Sequence, residues 1–173
     1  TAIHAYVDRL RAHGLYVILT LAWAAPGTKR TNDSAVMADR DHSPAFWAVV
    51  AKAFGSDGGV LFDLFNEPYP DHNRDSVAAW SCVRDGGTCK GVSYAAAGSQ
   101  QLLDSVRKQG ASNVVLVGGP QYAGTLSRWV TYAPNDPLHQ LAASVHIYFG
   151  TPSAPDWSPC YLQSCWQSQI QPL

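Results

Sequence analysis

Apolar residues recur along this chain with two different periods. Ile3, Val7 and Leu10 fall on one helical face and Gly14 follows as a C-terminal stop, so the spacing predicts an opening helix. LYVILTLAW (Leu15 to Trp23) is nearly continuous in apolar residues and predicts a buried strand. Ser43-Pro44 supplies an N-cap and a first-turn proline, after which Trp47, Val50, Ala51 and Phe54 repeat at helical spacing up to Gly55. GVLFDLFNE (Gly59 to Glu67) predicts the second strand, and Tyr94 to Gln109 the next helix, with Leu102, Leu103 and Val106 on its inner side. NVVLVGG (Asn113 to Gly119) predicts the third strand, followed by a short helix around Thr125 to Trp129. AASVHIYF (Ala142 to Phe149) predicts the fourth, and Trp166 to Gln169 belong to a last helix.

Strands that alternate with helices and are themselves almost wholly apolar mean an α/β fold, with a parallel sheet covered on both sides. Most helix-to-strand connections are short and carry glycine. The loops after the first, second and fourth strands are long: Ala24 to Ser43, Pro68 to Ser93 and Gly150 to Ser164. Loops of that length are usually functional, and these three share the C-terminal edge of the sheet, where α/β proteins build their sites. There is no internal repeat, low-complexity tract or linker.

The balance of 46% hydrophobic against 14% charged residues is that of one globular domain. A net charge of −1 without a Lys/Arg cluster argues against nucleic acid or a polybasic membrane surface as partner. No apolar segment approaches the ~20 residues of a transmembrane helix. The opening TAIHAYVDRL has no leader-like pattern, so either a leader has been removed or the chain begins inside a larger protein. The four cysteines fall as two local pairs, Cys82/Cys89 and Cys160/Cys165, neither at zinc-site spacing, which favours disulfides and an oxidising, secreted setting. No cofactor or metal is expected. His42 and His72 stand beside Asp41 and Asp71, but two adjacent pairs without ligand spacing read as loop polarity.

The chemistry gathers at strand ends. Strand parity puts Asp63, Phe65 and Glu67 on one face, and Pro68 biases Glu67 toward an extended conformation and stops the strand there. On the fourth strand Ser144, His146 and Tyr148 share a face. Asn66, Glu67, His146 and Tyr148 thus converge on one rim, a set suited to proton transfer to a hydroxyl-rich substrate. Singly, Glu67 reads as a solvated strand end and His146 and Tyr148 as core groups; together, beside long loops, they favour a site. Asp63 reads as structural, an interior polar group in need of a partner. Trp23 and Tyr122, at strand ends, are candidates for stacking on a substrate, with core packing an equal competing explanation; Trp157 is a weaker candidate. Trp47, Trp129 and Trp166 sit on helix patterns and are assigned to packing.

LYVILTLAWAAPG, FDLFNEPYP, WSCVRDGGTC, NVVLVGGPQYAG and ASVHIYF together resemble strands three to six, with their loops, of glycoside hydrolase family 5, especially its bacterial endoglucanases (cellulases). The resemblance runs over nearly the whole chain and implies a (β/α)8 barrel of the TIM type, present as an incomplete segment that makes residues 1–173 one partial catalytic domain. It implies retaining hydrolysis of β-1,4-linked glucans or mannans, with a β-glucan polysaccharide or oligosaccharide as partner. By the same resemblance Glu67 is the general acid/base, Asn66 the amide that binds the sugar 2-hydroxyl next to the scissile bond, and His146 and Tyr148 the pair beside the nucleophile.

Two departures qualify the match. The family's nucleophile is a Glu at the end of the seventh strand, which falls beyond Leu173, and a complete barrel runs to ~250 residues, so the chain is expected to be an interior segment or a truncated product, inactive alone. The family's usual Asp-Leu-His-Trp is here Thr20, Leu21, Ala22 and Trp23, which removes a histidine near the cleaved bond. The alternative function is a non-catalytic carbohydrate-binding remnant of such an enzyme. An α/β-hydrolase-like esterase ranks last, because no G-x-S-x-G elbow occurs. An incomplete barrel leaves open sheet edges, so the isolated chain is expected to self-associate.

Overall fold

In the computed structural model, which describes residues 1–28, 30, 35–147, 164 and 166–171, the chain opens on α1 (Ala2–Ala12), capped by the Thr1 hydroxyl. β1 (Val17–Thr20) follows, and then α2 (Ser43–Phe54), whose Pro44 sits in the first turn where no intrahelical N–H is needed. Ser43 starts this helix rather than capping it, because its hydroxyl donates to Asp39 Oδ2 at 3.0 Å. β2 (Val60–Asp63) leads into a long excursion made of the single turn α3 (Pro70–Asn73), α4 (Val77–Asp85) and an antiparallel pair, β3 (Gly86–Thr88) with β4 (Ala95–Ala97). α5 (Ser99–Arg107), β5 (Val115–Gly118), the turn α6 (Pro120–Ala123), α7 (Trp129–Tyr132) and β6 (Leu141–Ser144) complete the main body. A π-helical turn at Trp166–Ile170 stands where the last helix was expected.

Several boundaries differ from the sequence reading, each for a local reason. The helix expected from Tyr94 begins at Ser99, because Ala95–Ala97 pair with Gly86–Thr88. Gly86 has φ +67, and a Cβ there would lie 2.4 Å from the Ala96 carbonyl, so only glycine permits this pairing. α4 lies inside what read as a loop. The helix around Thr125 to Trp129 is displaced to Trp129–Tyr132, and the fourth strand ends its ladder at Ser144.

β1, β2, β5 and β6 form one parallel sheet in chain order. A doubly wound sheet reverses its order at a switch point; this one runs in a single direction, as in one arc of a barrel. Among the described residues the main core lies on one side of this sheet. Val60, Phe62 and Val115 are wholly buried against the helices, whereas Ile18, facing the other way, is 55% exposed and Leu61, Leu116 and Leu141–Ser144 are half-buried. The expectation of cover on both faces is therefore corrected. An apolar run cannot distinguish a second helical layer from the interior of a barrel, whose inner face is filled by facing strands. Trp47 anchors the outer side, fully buried, with its indole N–H donating to the Leu64 carbonyl at 3.0 Å.

A buried ion pair joins α5 to the approach of β6. Arg107 donates through Nε to Asp136 Oδ1 at 2.9 Å and through Nη2 to Oδ2 at 2.8 Å, and both side chains are almost inaccessible. The paired guanidinium, joined by the Gln140 and Leu138 N–H groups, holds the Asp136 carboxyl down at about 2 despite the opposing effect of burial. A folded-state value below the ordinary 3.8 stabilises the fold above pH 4, and that contribution disappears as pH falls through 2. Its size is about 2 kcal/mol. In urea titrations, Asp136→Asn is expected to be less stable at pH 7 and to lack this part of the stability lost between pH 4 and pH 2.

The β1 edge is the other consequence of the open sheet. Leu15 to Trp23 carries no charge and no proline, and Tyr16 and Ile18 are largely exposed. Such an edge invites pairing with another strand. Sedimentation is expected to show concentration-dependent association of the chain, reduced by Ile18→Lys; a monodisperse monomer at all concentrations would contradict this.

Candidate active site

Glu67 is carried to the rim by a segment that stays extended after the β2 ladder ends. Leu64 donates its N–H to the Leu116 carbonyl at 3.2 Å on one side, and Asn66 donates to the Leu21 carbonyl at 3.0 Å on the other. Pro68 then turns the chain away, and its carbonyl accepts the Tyr122 N–H at 3.0 Å. His146 stands two residues beyond the end of β6, its own N–H donating to the Ala123 carbonyl at 2.9 Å. The two side chains meet: His146 Nδ1 lies 2.9 Å from Glu67 Oε1, with both about three-quarters buried. With Glu67 ionised the imidazole donates; with Glu67 protonated the carboxyl can donate to a neutral Nδ1. The contact holds the carboxyl in one orientation in either state.

Asn66 precedes Glu67, half-buried, at the same strand end. Trp23 is 53% exposed among the described residues. Tyr122 packs against Tyr69 in a tilted arrangement with ring centroids 4.6 Å apart, which joins the rim after β5 to the residue two places past Glu67. Tyr148 and Trp157 lie outside the described residues, as does the Cys160/Cys165 pair. Cys82 and Cys89 form the expected disulfide. Of the tryptophans assigned to packing, Trp47 is buried and Trp129 donates to the Val117 carbonyl at 2.9 Å, but Trp166 is 48% exposed and that assignment is corrected. Trp80, which drew no attention in the sequence, is almost wholly buried, its indole donating to Asp75.

Asp63 lies deeper on the same face, opposite Thr20 in the register. The Thr20 hydroxyl donates to its Oδ2 at 2.8 Å, while Oδ1 is buried without a hydrogen-bond partner among the described residues. The partner the sequence reading called for is therefore present for one oxygen. Burial pushes this carboxyl above the ordinary carboxylate range, against the pull of Thr20 and of His146. Among the described residues no group of three or more His, Cys, Asp or Glu side chains could hold a metal ion. No helix among them is long and apolar enough to cross a membrane.

Sequence reasoning missed the rim turns. Asp71, His72 and Asn73 all have φ between 51° and 62°, and Gln121, Tyr122 and Ala123 all have φ of 58°. The first run carried a faint signal, since Asp, Asn and His tolerate the left-handed region better than most residues. The second carried none.

The family model described as Cellulase (glycosyl hydrolase family 5) matches residues 1–173. Cellulase CelDZ1 of Thermoanaerobacterium sp is 25% identical over 114 residues, which is 65% of this chain and 26% of that protein. XacCel5A, solved in complex with cellopentaose, is 27% identical with a TM-score of 0.58, over 90% of this chain and 45% of that one. The endo-β-1,4-glucanase Xac0030 from Xanthomonas axonopodis pv. citri, solved as a triple mutant, is 24% identical with a TM-score of 0.60 and the same coverage, a likeness that bears on the fold alone. The chain thus spans less than half the length of these proteins. Its four parallel strands are a fragment of a (β/α)8 barrel.

Because Asp63 is protonated more readily when folded than when unfolded, its contribution favours the fold below the ordinary carboxylate range and is lost as pH rises through its elevated folded value. Asp63→Asn keeps an acceptor for Thr20 and removes the charge. Urea midpoints are expected to rise for this variant at pH 7 and to change little at pH 4.

Proposed function

The chain belongs to glycosyl hydrolase family 5, and we propose that it carries the acid/base part of a retaining β-1,4-glucanase site, with Glu67 as the general acid/base. The observation that supports this most is the 2.9 Å approach of His146 Nδ1 to Glu67 Oε1 at the C-terminal rim of a parallel sheet. A carboxyl held by an imidazole at a rigid strand exit suits a group that must give up a proton in one step and take one back in the next.

In this reading Glu67 protonates the glycosidic oxygen as the bond to the anomeric carbon breaks, while a second carboxylate attacks that carbon and forms a glycosyl-enzyme. Glu67, now ionised, takes a proton from the water that releases the sugar. By family resemblance the nucleophile belongs to a strand outside residues 1–173, Asn66 binds the sugar 2-hydroxyl, and His146 and Tyr148 flank the nucleophile. Trp23 and Tyr122 offer aromatic faces to the apolar sides of glucose rings. A β-1,4-glucan is the proposed substrate, supported by the cellopentaose bound in XacCel5A. The Cys82–Cys89 disulfide supports an oxidising, extracellular setting.

Ala22, where the family usually has histidine, favours a second reading in which the segment binds glucan without cleaving it. The two separate on one experiment: residues 1–173 joined to the complementing strands of XacCel5A, assayed on cellopentaose. We expect hydrolysis, reduced in Glu67→Gln by about 10²–10⁴-fold with binding retained. The deficit should shrink for a dinitrophenyl leaving group, which needs no proton. Binding without hydrolysis before any substitution would favour the second reading.

A further inference from the structure

We propose that Asp71 and Lys90 are a positioning pair for the acid/base: a clamp, tied to the Cys82–Cys89 disulfide, that fixes the turn leaving Glu67 and, through it, the His146–Glu67 contact. The proposal rests on the reading of Glu67 as acid/base.

The turn itself demands a clamp. Asp71, His72 and Asn73 are three consecutive non-glycine residues in the left-handed region, with φ of 51°, 56° and 62°. Each is disfavoured for an L-residue, and such a run persists only where its surroundings over-determine it. Here the surroundings converge on Asp71, which is 5% exposed. Its N–H donates to the Lys90 carbonyl at 2.7 Å, Lys90 Nζ stands 2.9 Å from its Oδ1, and the Ser76 hydroxyl donates to its Oδ2 at 2.6 Å. The Lys90 ammonium and the Ser76 hydroxyl hold this carboxyl below the ordinary range, with Arg74 adding to the pull, so it stays ionised and paired. Gly91 has φ +77, and a Cβ there would lie 3.1 Å from the His72 nitrogen, so the glycine lets the Lys90 backbone come this close. Cys89, next to Lys90, is bonded to Cys82 on α4, which fixes where Lys90 is presented.

From this anchor a continuous run of contacts reaches the proton-transfer pair. Asn73 accepts from the Gln121 side chain at 3.3 Å, and the Pro68 carbonyl accepts the Tyr122 N–H at 3.0 Å, which locks the first left-handed turn onto the second. The second turn ends at Ala123, whose carbonyl receives the His146 N–H at 2.9 Å. His146 then meets Glu67. Glu67 is therefore gripped from both ends of one circuit: through Pro68 along the chain, and through His146 across it. The two turns leave neither end free to shift alone.

The test uses the 15N-labelled chain and reads three signals: the ring Nδ1–H of His146, assigned by its loss in His146→Gln, the Asp71 amide, and the β5 amides of Val115–Gly118. Lys90→Gln breaks the ion pair without opening the core, since the lysine side chain is 58% exposed. Cys82→Ser with Cys89→Ser releases the loop by an independent route. Both are expected to speed exchange of the Asp71 amide and of the His146 ring proton together, by about tenfold or more, with β5 unchanged, as in a local rather than global opening. Lys90→Arg, which keeps the charge, should restore both signals. A faster Asp71 amide with an unmoved His146 ring in both altered chains would overturn the proposal, leaving the turn a purely structural feature. His146 ring nitrogen shifts that do not change in Glu67→Gln would show the two side chains not to be in contact and would instead overturn the acid/base reading beneath it.

Discussion

Everything at the rim depends on how β2 leaves the sheet. A strand end normally frays, because its last donors lose their partners. Here the donors alternate, Leu64 to Leu116 on one neighbour and Asn66 to Leu21 on the other, so the segment remains pinned on both sides up to the residue before Glu67. The Trp47 indole secures the Leu64 carbonyl from the helical side. A carboxylate delivered this way has little freedom left, and the proline that follows removes more. His146 then orients the carboxyl of a residue whose backbone is already held.

The α/β class, the four main strands and the approach of Glu67 to His146 at one strand edge were legible in the sequence, because a buried parallel strand writes itself as an apolar run and because Asn66-Glu67-Pro68 interrupts one. What was not legible came from tertiary context. Ala95–Ala97 are good helix formers and form strand β4 because Gly86–Thr88 lie beside them. The left-handed run at Gln121–Ala123 has no propensity signature; it is imposed by contacts with Pro68 and Asn73. Trp23 and Trp47 lie in equally apolar surroundings in the sequence, yet one is exposed and the other buried. Trp47 packs inward from α2, whereas Trp23 stands past the end of β1.

The inner face shows how the same strands serve two masters. Their outer residues pack on helices as any core would, while the inner row, Thr20, Asp63, Leu116 and Ala142, mixes a hydroxyl and a carboxyl with apolar groups. Asp63 sits there at a cost in desolvation, only partly met by Thr20. Polar groups of this kind are tolerated where a fold keeps an interior for chemistry as well as for packing.

The chain-order arrangement of β1, β2, β5 and β6 also bears on how the polypeptide reaches this state. Each strand's neighbour is the next main strand along the chain, so pairing can advance one unit at a time without waiting for distant segments. The separation is shortest between β5 and β6 and longest between β2 and β5, where α4 and the small antiparallel sheet intervene. The Cys82–Cys89 link closes a loop inside that insertion and shortens the effective chain between β2 and β5. The bond that braces the rim in the finished fold thus also shortens the longest closure between neighbouring strands.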